Sequence, residues 1–161
     1  MHGPTSSFLD RLISPDTAGH TRISDSHLRR LEHLKRSVAC DLENLLNTRL
    51  ALRSEVLEDY PECRQSVINY GLRDFSWMSL TSSPDRHRIC RALEAAVSIH
   101  EPRLAAVEAL LETDRTTPNR LHFCISALLV VPPLSESVSF DALFEPARMA
   151  YSVTRSQSRA A

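Results

Sequence analysis

The spacing of apolar residues changes once along this chain, and that change sets the class of fold open to it. Leu28, Leu31, Leu34, Val38, Leu42, Leu45 and Leu46 recur at steps of three and four, the period of one helix face. Leu121, Phe123, Ile125, Ala127, Leu129 and Val131 recur at steps of two, the period of a pleated strand. A helical first half and a strand-forming second half are therefore expected.

Local signals sharpen the helices. Ser24-Asp25-Ser26 offers candidate N-caps and Asn47-Thr48-Arg49 an exit, so a helix is expected over 26–47. Its other side carries Arg29, Arg30, Glu32, Lys35, Arg36, Asp41 and Glu43, read as a solvated face except toward the C-terminal end. A second helix starts at Ser83-Pro84-Asp85, a hydroxyl cap followed by proline and an acid near the positive dipole end. Ile89, Leu93, Ala96 and Val97 form its inner face. Pro102 disfavours helical geometry at Glu101 and lacks a backbone donor, so the helix ends near Ile99 or His100. Between the two, Ser66–Leu72 reads as the tip of a helix capped by a left-handed Gly71. Asp74-Phe75-Ser76-Trp77 follows as a loop with buried aromatics, Trp77 being a core plug.

In the second half, Leu128 and Val130 fill the alternate positions of the 121–131 strand, so it is expected to be buried on both faces until Pro132-Pro133 stops it. Residues 114–119 read as the turn before it, and 138–140 and 150–153 as two further short strands. Residues 103–111 conflict. Their composition favours helix, but they follow a proline and pair naturally with 121–131 as a hairpin. The strand reading is preferred, partly because of the resemblance given below. Three regions result: a flexible segment 1–25 with a short helix around Phe8, Leu12 and Ile13, one domain over 26–153, and a disordered tail over 154–161. The first is either a frayed tail or a docking peptide ordered by a partner.

Composition narrows function. The chain has 161 residues, with 19 basic against 20 acidic, so nothing draws it to nucleic acid. No apolar stretch approaches the ~20 residues a membrane span needs, and no signal-peptide pattern appears, so a cytoplasmic protein without membrane insertion is expected. Only three glycines occur, which excludes the clustered glycines of phosphate-binding loops. Four cysteines and seven histidines are scattered without ligand spacing. The cysteines read as small core or edge residues, and no metal or cofactor is expected.

Three stretches carry a family resemblance: Asp41–Arg49, Ser66–Ser76 with its Asn69-Tyr70-Gly71 core, and Glu101-Pro102-Arg103-Leu104. In this order and separation, with Phe8–Leu12 before them, they resemble the TssE family of bacterial type VI secretion systems. That family is similar to a baseplate wedge protein of contractile-tailed phages often labelled "lysozyme-like". Arg73 stands where the family's run would have proline. The resemblance implies an α+β domain with N-terminal helices packed on a small antiparallel β-sheet, and a structural subunit of the baseplate wedge at the inner face of the cytoplasmic membrane. Its neighbours would be TssF and TssG, with TssK in the wider complex. It also implies a part in starting the TssB–TssC sheath through strand-pairing contacts.

Read physically, Glu101-Pro102-Arg103 is a stiff corner between helix and strand that presents a two-oxygen acceptor and a five-donor fork. Two uses stay open, contact with a partner or a clamp inside the domain. Asn69-Tyr70-Gly71 is expected to shape a turn, its phenol bonded locally, with partner contact as the alternative. His100 reads as a helix-end cation or capping donor. A glycosidase would need a raised-pKa acid and a second carboxylate. Glu101 is the nominal acid, with Asp74, Glu108, Asp114 or Asp141 as the second. No spacing selects among these, and an arginine two residues away favours the carboxylate form that an acid catalyst cannot use. No catalytic residue is therefore assigned.

Overall fold

A computed structural model describes residues 23–50, 54–75, 77–112, 121–132, 134–145 and 148–156. The short helix expected around Phe8, the 114–119 turn and residues 157–161 of the tail lie outside the described residues.

Helix α1 spans Ile23–Asn47 and buries Leu34, Val38, Leu42, Leu45 and Leu46. It starts about a turn earlier than expected, because the polar residues that suit a cap also suit a first turn. Helix α2 spans Ser83–His100 and buries Ile89, Leu93 and Val97. Its cap is Ser82, one residue before the expected Ser83, with Oγ accepting from Asp85 N at 3.4 Å. At the far end Glu101 N still donates to Val97 O at 2.8 Å, and there the proline stops the helix.

Three short 3₁₀ turns, Ser54–Leu57, Pro61–Gln65 and Val67–Asn69, link the helices. The last replaces the helix tip expected at 66–72. Ser66 caps it, accepting from Ile68 N at 3.3 Å. Val67 and Ile68 face solvent, and so does Trp77, 71% exposed instead of plugging the core. Leucines of α1 and the strands already fill the interior, while Phe75 and Met78 supply this segment's inward contacts.

Four antiparallel strands follow in sheet order β1-β2-β3-β4: β1 Leu104–Glu112, β2 His122–Val131, β3 Leu134–Glu145 and β4 Ala150–Arg155. The helix-prone 104–112 segment is a strand, since hairpin pairing with β2 outweighs local propensity. Its register slips between Ala105 and Glu108, with Ala106 at φ 50 in a bulge. Strand β3 is far longer than the three residues expected. Strand β4 takes in Thr154 and Arg155, which the sequence reading put in the tail.

One sheet face holds Phe123, Ile125, Ala127, Leu129, Val138, Phe140, Ala142 and Val153 and shares a single core with both helices. The other is open: Leu110 is 63% exposed, Leu128 and Val130 each 41%. Burial of β2 on both faces is thus not found, because the helices contribute to one side only. Among the cysteines, Cys40 is exposed on α1, outside the core or edge position expected.

Both sheet edges meet helix side chains. On the β1 edge, Glu94 of α2 accepts from Ala109 N at 3.0 Å. On the β4 edge, Glu43 accepts from Val153 N at 2.9 Å, and Asn47 bonds Tyr151 O and N at 2.9 and 2.7 Å. Because β4 pairs only with Phe140–Glu145, residues 134–138 of β3 have β2 on one side and no strand among the described residues on the other.

Candidate functional site

The Glu101-Pro102-Arg103 corner joins α2 and β1 to α1 through a cluster of polar side chains. Once α2 stops at His100, the chain turns back with Leu104 N donating to Glu101 O at 3.0 Å and enters β1. The turn swings Glu101 inward, to 4% exposure, and leaves Pro102 exposed. Arg103 folds over it. Its Nε donates to Glu101 Oε1 at 2.6 Å, its Nη2 to Oε2, and its backbone N also reaches Oε1 at 3.3 Å.

The guanidinium then extends to α1. Nη1 donates to Ser37 Oγ at 3.2 Å, and Nη2 bonds the Asp41 carboxylate. Ser37 and Asp41 are four apart, one above the other on a helix face. Arg103 O accepts from Val130 N at 2.9 Å, tying β2 to the same point. Hydrogen bonding to Glu101 holds the guanidinium pKa above its ordinary value despite burial, with Asp41 adding to it. Glu101 and Arg103 thus close on each other and on α1, and no partner is needed to occupy them.

Asn69, Tyr70 and Gly71 converge on the same region from the other side. Asn69 O accepts from His100 Nε2 at 2.9 Å, which sets the proton on that ring nitrogen. Tyr70 lies edge-on to the His100 ring at 5.2 Å. Burial raises its phenol pKa, and the charges of Asp41 and Glu101 raise it further, so the two motifs, thirty residues apart, share one electrostatic environment. The local hydrogen bond expected for the phenol is not found among the described residues; the ring contact takes its place.

Gly71 is set by close approach. At φ +120 it passes Thr48 so closely that a Cβ would lie 2.5 Å from Thr48 O. The backbone bonds Leu72 N to Thr48 O at 2.8 Å and Leu50 N to Leu72 O at 2.9 Å. This short parallel bridge joins the end of α1 to the segment after the 3₁₀ turns.

The sequence reading missed Ser37, Asp41 as a ligand of the guanidinium, and Thr48 as the backbone neighbour of Gly71. The i, i+4 spacing of Ser37 and Asp41 was visible, but nothing local pairs it with an arginine more than sixty residues away. The corner also lacks what a glycosidase acid needs. Glu101 is buried with both oxygens on Arg103, and Asp41, the acid beside it, is bonded to the same guanidinium. Among the described residues no group of three metal-ligating side chains occurs, and no helix is long and apolar enough to cross a membrane.

Two helices tied to a four-stranded antiparallel sheet at the Glu101-Pro102-Arg103 corner define an α+β domain. The chain belongs to the baseplate wedge protein gp25 family, whose family model matches residues 32–133, more than half its length and including Asn69-Tyr70-Gly71 and Glu101-Pro102-Arg103. No curated protein matches the chain.

Proposed function

We propose that this chain is a TssE-type subunit of a type VI secretion baseplate wedge and acts by assembly, not by catalysis. It binds TssF and TssG, with TssK in the wider complex, and helps to start the TssB–TssC sheath in the cytoplasm, at the inner face of the membrane. Membership of the baseplate wedge family carries this reading. The sheet supports it: helix side chains meet both outer edges, yet β3 runs past β4 and leaves 134–138 without a strand on the side away from β2 among the described residues. An uncovered strand edge is a template for strand addition.

The bond from Ser156 N to Ser139 O shows that odd-numbered residues of β3 point their backbone groups outward. Ser137→Pro therefore removes one outward donor and spares the β2–β3 ladder. Co-purification with TssF and TssG is expected for the native chain and for this variant, with sheath assembly lost in the variant alone. Normal sheath assembly by Ser137→Pro would remove the strand-pairing role; failure to co-purify at all would remove the wedge role.

A further inference from the structure

A cavity of about 280 Å³ opens between the end of α1, the residues Leu72–Phe75 with Met78 and Leu80, and Phe144 with Met149. Its lining is mainly apolar and includes the rings of Phe75, Phe123, Phe144 and Tyr151, with Leu46 and Met78 beside them. Phe123, Tyr151 and Phe144 form a tilted aromatic run, with ring centres 6.0 and 5.1 Å apart. Protein interiors are otherwise close-packed, so an unfilled apolar recess forgoes contacts that a guest side chain would restore.

The recess is bordered by three charges and a methionine. Arg49 and Asp74 answer each other at 3.1 Å. Arg73, exposed, makes no hydrogen bond or ion pair among the described residues, which leaves an excess positive charge beside the cavity. Met149 is 72% exposed and sits at φ 52, a conformation that costs a non-glycine residue energy. Methionine is an adaptable contact for apolar partners.

We propose that this cavity receives one large apolar side chain of a partner protein, from a segment carrying a carboxylate next to that side chain for Arg73. The inference rests on the assembly reading above and goes beyond it, naming a socket distinct from the Glu-Pro-Arg corner and from the β3 edge. The guest ring stacks among Phe75, Phe123 and Tyr151, and the carboxylate meets a guanidinium whose planar fork suits it.

The three methionines give a direct test, since Met78 and Met149 both line the cavity. With methyl-labelled methionine in the full chain, indole-3-propionate should move both signals saturably. Tryptamine, the same ring on a cationic arm, should bind at least about tenfold more weakly. Arg73→Glu should reverse that order. Unmoved signals at about 10 mM, or equal binding of the two probes, would overturn the proposal. In a TssF–TssG pull-down, Leu80→Phe, which crowds the cavity, and Arg73→Glu should both lose retention. Retention at the native level by both overturns the socket and leaves the wedge reading intact. If the native chain itself is not retained, the wedge reading fails, whatever the probes do.

Discussion

Two cations, buried Lys35 on α1 and half-buried Arg103 packed against it, are finished to different degrees. Arg103 meets Glu101, Asp41 and Ser37, and the Glu101 carboxylate is used on both oxygens. Lys35, 6% exposed, meets Glu136 Oε1 at 2.6 Å and Glu32 at 3.5 Å, while Glu136 Oε2 is buried without a hydrogen-bond partner among the described residues. The closed cluster lies where helix, corner and sheet must hold one geometry. The unfinished one lies on β3 within the stretch that β4 leaves uncovered. Low dielectric makes a satisfied polar network rigid and an unsatisfied group costly. The contrast separates a site built for the fold from one at the edge proposed above for strand addition.

The comparison breaks most sharply at Arg103. Arg103→Met leaves Glu101 buried without its cation, and a loss of about 3–5 kcal/mol in urea unfolding is expected. Arg103→Lys should rescue little, because an ammonium cannot reproduce the fork that spans Glu101, Ser37 and Asp41. If the lysine variant matched the native chain, the geometry of the cluster would not matter. Gly71→Ala comes next, at about 2–3 kcal/mol, since it adds backbone strain and a clash with Thr48 O. Lys35→Met should cost about 1–2 kcal/mol, less than Arg103→Met, because Glu136 can turn toward water. An equal loss at the two sites would erase the distinction drawn here.

The smallest effect concerns pH. Burial pushes the phenols of Tyr70 and Tyr151 above 10.0 in the folded chain. Above the unfolded value, the folded form keeps protons that the unfolded form has lost, so stability is full below about 10 and falls as pH rises further. Tyr70→Phe should flatten that alkaline fall in denaturation midpoints. A slope unchanged in both Tyr70→Phe and Tyr151→Phe would assign it to other groups.

How much of this was legible in the sequence depends on distance along the chain. The leucine repeat of α1, the Pro102 stop and the alternation of β2 are local patterns, and each produced its element. The strand at 104–112 needed more than composition, because its stability comes from β2. Trp77, Leu128 and Val130 misled for one reason: hydrophobicity alone does not say whether another element lies opposite. At the candidate site, the corner and the Asn69-Tyr70-Gly71 turn stood out as motifs. Their meeting through His100, and the capture of Arg103 by Ser37 and Asp41, depend on tertiary packing that no local spacing encodes.

The reach of Arg103 also has a consequence in time. Its bonds to Asp41 and Ser37 span 62 and 66 residues, and those from Asn47 and Glu43 to β4 span 104 and 110. Synthesised before α2 and the strands, α1 waits with its leucine face uncovered until they have been made. Contacts so far apart close late, because loop entropy is lost before they form. The interval before the corner engages is therefore when this chain is most exposed to aggregation.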